Sequence, residues 1–287
     1  MPRVAIVVDS SAGVAPEYCT QHSNVRIVPL LIQMQGQTLR DGIDITEARF
    51  YELLPECSPL PTTSQTPMGD LVRMYSSLAD AGYEGIVSLH LSSGISSACA
   101  SAQVAAGEVS IPVEVVDTLC TSSGSLYALE AAVRASERGS ALQDVAQAAR
   151  AVVASERTIF AVDTLDYLRK GGRISASAAM VGSVLQFKPL LCFADGKITA
   201  LEKVRTSSRA LRRLVEVMVD WVGADTPVLA RVVHGGAPES AQQLMELAQS
   251  ALNVTEMRFG WVPPVIGAHT GPGIVSLCCV PVAAAGL

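Results

Sequence analysis

The chain has 287 residues, 49% of them hydrophobic and 17% charged, with a formal net charge of −6. That length supports one large or two ordinary domains with a sizeable core, and the acidic balance argues against a dominant nucleic-acid surface. The start has no secretory h-region and no apolar run reaches the length of a membrane span, so a cytoplasmic protein is expected.

Residues 3–8 read as a buried first strand closed by Asp9-Ser10-Ser11, and Pro16 opens a helix. A second strand is expected over 25–32, with turns at Gln35-Gly36-Gln37 and Asp41-Gly42. Thr46 suits the cap of a helix over 47–54, and Pro67 the first turn of a helix over 67–81. Between them Thr62-Thr63-Ser64-Gln65 reads as a polar loop. A strand over 85–90 runs into Leu91-Ser92-Ser93-Gly94, followed by a small-residue helix over 95–107. A strand over 113–116 and helices over 122–138 and 142–155 continue the strand–helix alternation of a mainly parallel sheet.

The pattern changes near residue 157. A strand over 158–162 precedes a short helix over 163–168, the Gly171-Gly172 break and a helix over 175–183. Asp195-Gly196 is the turn of a hairpin joining 190–193 to 197–204. A helix over 207–222, a strand over 228–233, a helix over 238–251 and strands over 254–259 and 273–282 complete the chain. This half predicts a mixed sheet with helices on one face. The expected architecture is therefore α/β, with an N-terminal domain over 1–157 and a C-terminal domain over 158–287.

Seven cysteines with no C-x-x-C spacing are expected as reduced core residues, and the four histidines have no metal-ligand spacing. Phosphate-loop, dinucleotide-binding and nucleophile-elbow motifs are all absent from the sequence. The corner Ser92-Ser93-Gly94 sits where open α/β sheets place ligands, and free N–H groups of the following helix suit an anion. Ser93 capping that helix is an equally good reading, and the two are compatible. Thr62, Thr63 and Ser64 read either as a capping loop or as a second set of hydroxyl donors. His269 lies among Gly267, Gly271 and Gly273, which suits a cleft-facing donor or acid/base group. Arg173, in Arg169-Lys170-Gly171-Gly172-Arg173, reads as a helix C-terminus or as a guanidinium held for a carboxylate, phosphate or partner, with Arg205 a second such group.

Taken in order, several of these stretches carry a resemblance. They are Val7-Val8-Asp9-Ser10-Ser11, Asp41-Gly42, Thr62-Thr63-Ser64-Gln65, Leu91-Ser92-Ser93-Gly94-Ile95-Ser96 and Val116-Asp117-Thr118. Tyr167-Leu168-Arg169-Lys170-Gly171-Gly172-Arg173-Ile174, Lys188-Pro189-Leu190-Leu191 and Gly267-Ala268-His269-Thr270-Gly271-Pro272-Gly273 complete the set. Each is weak alone, but together, spread over essentially the whole chain, they resemble the DegV family. The chain departs from the family pattern at Thr66, where proline is usual, and at Cys99, where the family has tyrosine.

The resemblance implies two α/β domains with a ligand channel between them, and a fatty-acid-binding protein rather than an enzyme. The implied partners are a long-chain fatty acid, a separate ATP-dependent kinase that makes an acyl phosphate, and transient contact with a membrane surface. No cofactor, metal or nucleic acid is implied. Carried over by motif, Thr63, Ser93 and His269 hold the carboxylate, within a binding set that adds Thr62, Ser64, Ser92, Gly94 and Thr270. Arg173 and Arg205 serve the site mouth or the kinase interface. Residues 175–183, 30–32, Ile95 and 262–266 are the expected tunnel lining. The competing expectations are a serine-dependent lipid hydrolase or acyltransferase using Ser93 with His269 as base, and a carrier of another amphipathic anion.

Overall fold

β1 (Val4–Asp9) is buried along its whole length, as expected of a strand covered on both faces. A 3-10 turn over Ser10–Ala12 leads to α1 (Pro16–Gln21) and β2 (Val25–Val28). The computed structural model describes residues 3–174 and 187–286. The helix expected over 175–183 lies outside the described residues.

The strand expected over 25–32 is divided at Pro29, which has no N–H for a ladder. Its second part, β3 (Leu31–Met34), turns through Gln35 and Gly36, both at positive φ, into β4 (Gln37–Arg40). After α2 (Glu47–Leu53), capped by Thr46, comes β5 (Thr62–Ser64), where a loop was expected. β5 pairs antiparallel with β3, placing Thr63 opposite Ile32, in a small sheet of order β4-β3-β5. α3 (Met68–Asp80) follows, then β6 (Gly85–His90). Residues 91–97 form a turn in which the Ile95 and Ser96 N–H groups both donate to the Ser92 carbonyl. The helix expected from residue 95 therefore begins later, as α4 (Ala98–Ala106). β7 (Val113–Asp117) completes a parallel sheet of order β2-β1-β6-β7.

α5 (Ser123–Glu137) and α6 (Leu142–Ser155) follow as expected. α5 is buried over most of its length because sheet elements lie on both sides of it. Leu126, Leu129 and Val133 share one core with Val8 and Val87 of the parallel sheet and with Leu229, Cys278 and Val280 from the second half.

The remaining strands form one mixed sheet. β8 (Arg157–Ala161) leads to α7 (Asp166–Lys170), which starts three residues later than the expected helix. β9 (Lys188–Ala194) and β10 (Lys197–Val204) form the Asp195-Gly196 hairpin, with both turn residues at positive φ. α8 (Ser207–Val222) is capped by Thr206, and β11 (Val228–His234), α9 (Pro238–Ala251) and β12 (Val254–Trp261) follow. α10 (Pro264–Thr270) occupies a stretch expected to be loop, and β13 (Val275–Pro281) and α11 (Val282–Ala285) end the chain. Among the described residues the sheet order is β10-β9-β8-β13-β11-β12, with β11 and β12 its one parallel pair. α8 and α9 share a core with one face of this sheet. The other face contributes Phe160, Leu191 and Val233 to a core shared with Leu30, Ile32 and Phe50 beneath the small sheet.

Candidate functional site

α10 has Pro264 at its first turn and is held by the Val265 N–H, which donates 3.2 Å to Asp41 Oδ1. Its last turn carries His269 to the small sheet, where Nε2 lies 2.7 Å from Thr63 Oγ1. Residues 206 positions apart are thus joined by one hydrogen bond. Gly171, just after α7, faces the imidazole, and a side chain there would overlap His269 Nδ1. Burial, reinforced by the Arg173 charge, lowers the His269 pKa from 6.5 to about 4, so the ring is neutral near pH 7. Arg173 is anchored by Nε, which donates 3.2 Å to the Ile95 carbonyl, and by a further bond to the Gly171 carbonyl. Ser97 Oγ donates 2.6 Å to Gln65 Oε1, tying the 91–97 turn to the end of β5.

These groups border a cavity of about 320 Å³. Around its polar end stand Thr63, Ser64, Gln65, Ser96, Ser97, Arg173 and His269. Leu30, Leu91, Ile95, Phe160, Leu168, Phe193, Ile198, Val233, Val262, Val265, Ile266 and Ile274 supply apolar walls. A second polar stretch comes from Thr121 to Ser123 at the entry to α5, with Thr158 of β8 and Ser276 of β13. Both halves of the chain contribute to the wall. The size and mixed lining match small-molecule sites, which are typically about 300–1,000 Å³.

The expected site residues divide into two groups. Thr63, Ser64, His269, Thr270 and Arg173 line the cavity, and Thr63 meets His269 directly. Thr62, Ser92, Ser93, Gly94 and Arg205 are not among the lining residues. Ser93 is exposed, its N–H faces the Asp117 carboxylate at 3.3 Å, and it does not line the cavity, whereas Ser96 of the same turn does. Ser93 does not cap α4 either, because Ser97 is the first residue of that helix boundary. Ser92 Oγ donates 2.6 Å to the Gly196 carbonyl, and Gly94 packs against the same hairpin tip. His269 is occupied by Thr63, so the expected alternative pair of Ser93 nucleophile and His269 base is not formed. Arg205 is exposed, with its guanidinium over the Phe187 ring.

Of the expected tunnel residues, Leu30, Ile95, Val262, Val265 and Ile266 line the cavity. Sequence reasoning missed Phe160, Leu168 and Phe193, which are indistinguishable in sequence from ordinary core residues. It also missed Thr121-Ser122-Ser123, although a hydroxyl run opening an Ala-rich helix is a readable signal.

An α/β protein of two halves that encloses an apolar cavity with a hydroxyl-, imidazole- and guanidinium-bordered end is built to hold a small amphipathic ligand. The family model for DegV, described as an uncharacterised protein of the DegV family, matches residues 3–282. A DegV domain-containing protein of Streptomyces coelicolor is 38% identical over 276 residues, spanning 96% of this chain and 97% of its own. A DegV family protein from Thermus thermophilus, described for its fatty acid binding, superimposes with a TM-score of 0.90 at 28% identity, covering 98% of this chain and 100% of that one. A stearic acid-binding protein from Eubacterium ventriosum superimposes with a TM-score of 0.86 at 25% identity, covering 98% of each chain. The chain belongs to the DegV family. No helix among the described residues is long and apolar enough to cross a membrane.

Proposed function

We propose that this protein binds one long-chain fatty acid, with the carboxylate at the Thr63–His269 end of the cavity and the tail along its apolar walls. The observation that carries this reading is the partly buried Thr63–His269 hydrogen bond at the edge of an otherwise largely apolar cavity. A carboxylate leaving water needs donors in place of its hydration. Neutral His269 protonated at Nε2 donates to Thr63 Oγ1, which leaves the Thr63 O–H free to donate to the ligand. Ser96 adds a further hydroxyl, and Arg173 adds favourable charge. Each buried methylene contributes about 0.8 kcal/mol, so the tail dominates affinity and the polar end sets orientation. Fatty acid binding by the Thermus thermophilus and Eubacterium ventriosum relatives supports the same ligand class.

The protein is a carrier rather than an enzyme in this reading. It takes the fatty acid from a membrane surface and presents the carboxylate to a separate ATP-dependent kinase, which forms an acyl phosphate. Ser64 and Ser97 are exposed while also bordering the cavity, which leaves that end open to a second protein. Arg205, exposed beside Phe187 and not among the cavity-lining residues, is a further basic group available to the kinase.

Calorimetry of delipidated protein with stearate tests the carrier. One-to-one binding is expected, weakened about tenfold in Thr63→Val by loss of one hydrogen bond. Failure to take up stearate or any other long-chain fatty acid overturns the reading. With a fatty acid kinase supplied, acyl phosphate should form only when this protein is present.

A further inference from the structure

The cavity has a second polar wall that a plain hydrocarbon chain leaves unsatisfied. It is made by the start of α5, by Thr158 on β8 and by Ser276 on β13, elements that supply neither Thr63 nor His269. Three of its hydroxyls have protein acceptors. Thr121 Oγ1 donates 3.4 Å to the Ser11 carbonyl, Thr158 Oγ1 donates 2.8 Å to Glu156 Oε2, and Ser276 Oγ donates 3.3 Å to the Ile159 carbonyl.

Ser122 and Ser123 differ. They are 9% and 2% exposed, both line the cavity, and neither Oγ has a hydrogen-bond partner. Ser122 is held in place at positive φ, with its N–H donating 2.9 Å to the Ser11 carbonyl. It is the N-cap of α5, a position where serine ordinarily folds back to cap the helix, yet its side chain makes no capping bond. Two adjacent buried hydroxyls without partners are unfavourable unless something in the cavity completes them.

We propose that Ser122 and Ser123 recognise a hydroxyl group carried on the acyl chain, so that the preferred ligand is a hydroxylated long-chain fatty acid rather than an unsubstituted one. The proposal rests on the fatty-acid reading above and narrows it to a substrate class. A secondary alcohol both donates and accepts, so it can bond one serine in each sense. The Thr63–His269 end holds the carboxylate, and the serine wall sets which carbon bears the oxygen. An unsubstituted chain meets the same wall with methylenes and leaves both serines unpaired, or shares the space with water.

The test is calorimetry of delipidated protein against stearate and a panel of monohydroxystearates substituted at successive carbons. At least one isomer should bind about tenfold tighter than stearate, the value of one good hydrogen bond. The Ser122→Ala/Ser123→Ala variant should lose that preference and bind stearate at least as tightly as before. Ser123→Ala alone, with folding checked by circular dichroism, serves if the double variant does not fold. If stearate binds the wild type as tightly as every isomer, the wall is merely hydrated and the proposal is overturned while the carrier reading stands. A preference that survives in the variants also overturns it. If neither stearate nor any isomer binds, both readings fall.

Discussion

Gly171 bears no functional group, yet it determines where the imidazole of His269 sits. A methyl group there would overlap His269 Nδ1 and crowd the Tyr167 carbonyl. Gly171→Ala should displace the ring from Thr63 and lower stearate affinity about tenfold in calorimetry, with an unchanged circular dichroism spectrum. His269 itself makes stability depend on pH. Its pKa is 6.5 when solvated and about 4 in the folded chain, so between these values the unfolded chain binds a proton that the folded chain does not. Its contribution is complete above pH 6.5, declines as pH falls through the window and is lost below about pH 4. The full span is on the order of 3 kcal/mol. Asp41, whose buried carboxyl is pushed up to about 7, acts in the opposite sense, stabilising at low pH and losing that effect as pH rises. The readout is therefore a difference. His269→Asn should remove the His269 slope from urea-unfolding free energies between pH 4 and 6.5, and parallel curves for wild type and variant would refute the assignment. His269 was legible as an imidazole set among glycines, whereas Thr63 read equally well as part of a capping loop and was singled out by the family resemblance. Ser96 was not distinguishable from Ser93, since both lie in one serine-rich turn whose orientation local sequence does not specify.

At the scale of elements, the 91–97 turn is oriented by the β9–β10 hairpin. Ser92 bonds the Gly196 carbonyl, and a side chain at Gly94 would approach the same carbonyl oxygen at 2.5 Å. The obstacle is backbone, which cannot rotate away. Gly94→Ala should therefore destabilise by about 1–3 kcal/mol, read as a lower urea midpoint. A midpoint equal to that of the wild type would show that the hairpin tip does not press on this turn. The hairpin was readable from Asp195-Gly196, as α8 was from Thr206 and its helical periodicity, because these signals are local. β5 and α10 were not. β5 is a three-residue strand of hydroxyl side chains that exists because β3 offers it a partner. α10 looks like loop in sequence, with Pro263, Pro264 and Gly267, but Pro264 occupies the first turn and Asp41 holds the next N–H.

The whole molecule places α5 between two sheets and opens its N-terminus onto the cavity. The described walls of that cavity come from both halves of the chain, so ligand binding should stabilise both together. Free stearate at about a hundred times its dissociation constant should add about 2.7 kcal/mol to unfolding, seen as a raised urea midpoint. Octadecane, lacking the carboxylate, should give a smaller shift. Equal shifts for the two would remove Thr63 and His269 from recognition. Sequence alone determined the order of most strands and helices, the change from parallel to mixed sheet near residue 157, the family and the Thr63 and His269 motifs. The element order follows from periodicity and turn chemistry within short windows, and the family from the ordered set of motifs by which the chain resembles it. Only the tertiary structure decided that Ser96 rather than Ser93 borders the cavity, that Ser92 and Gly94 grip a hairpin, and that Ser122 and Ser123 line the cavity. Each depends on contacts between distant segments, such as the 104 residues separating Ser92 from Gly196, and no local pattern encodes which face such a contact will turn inward.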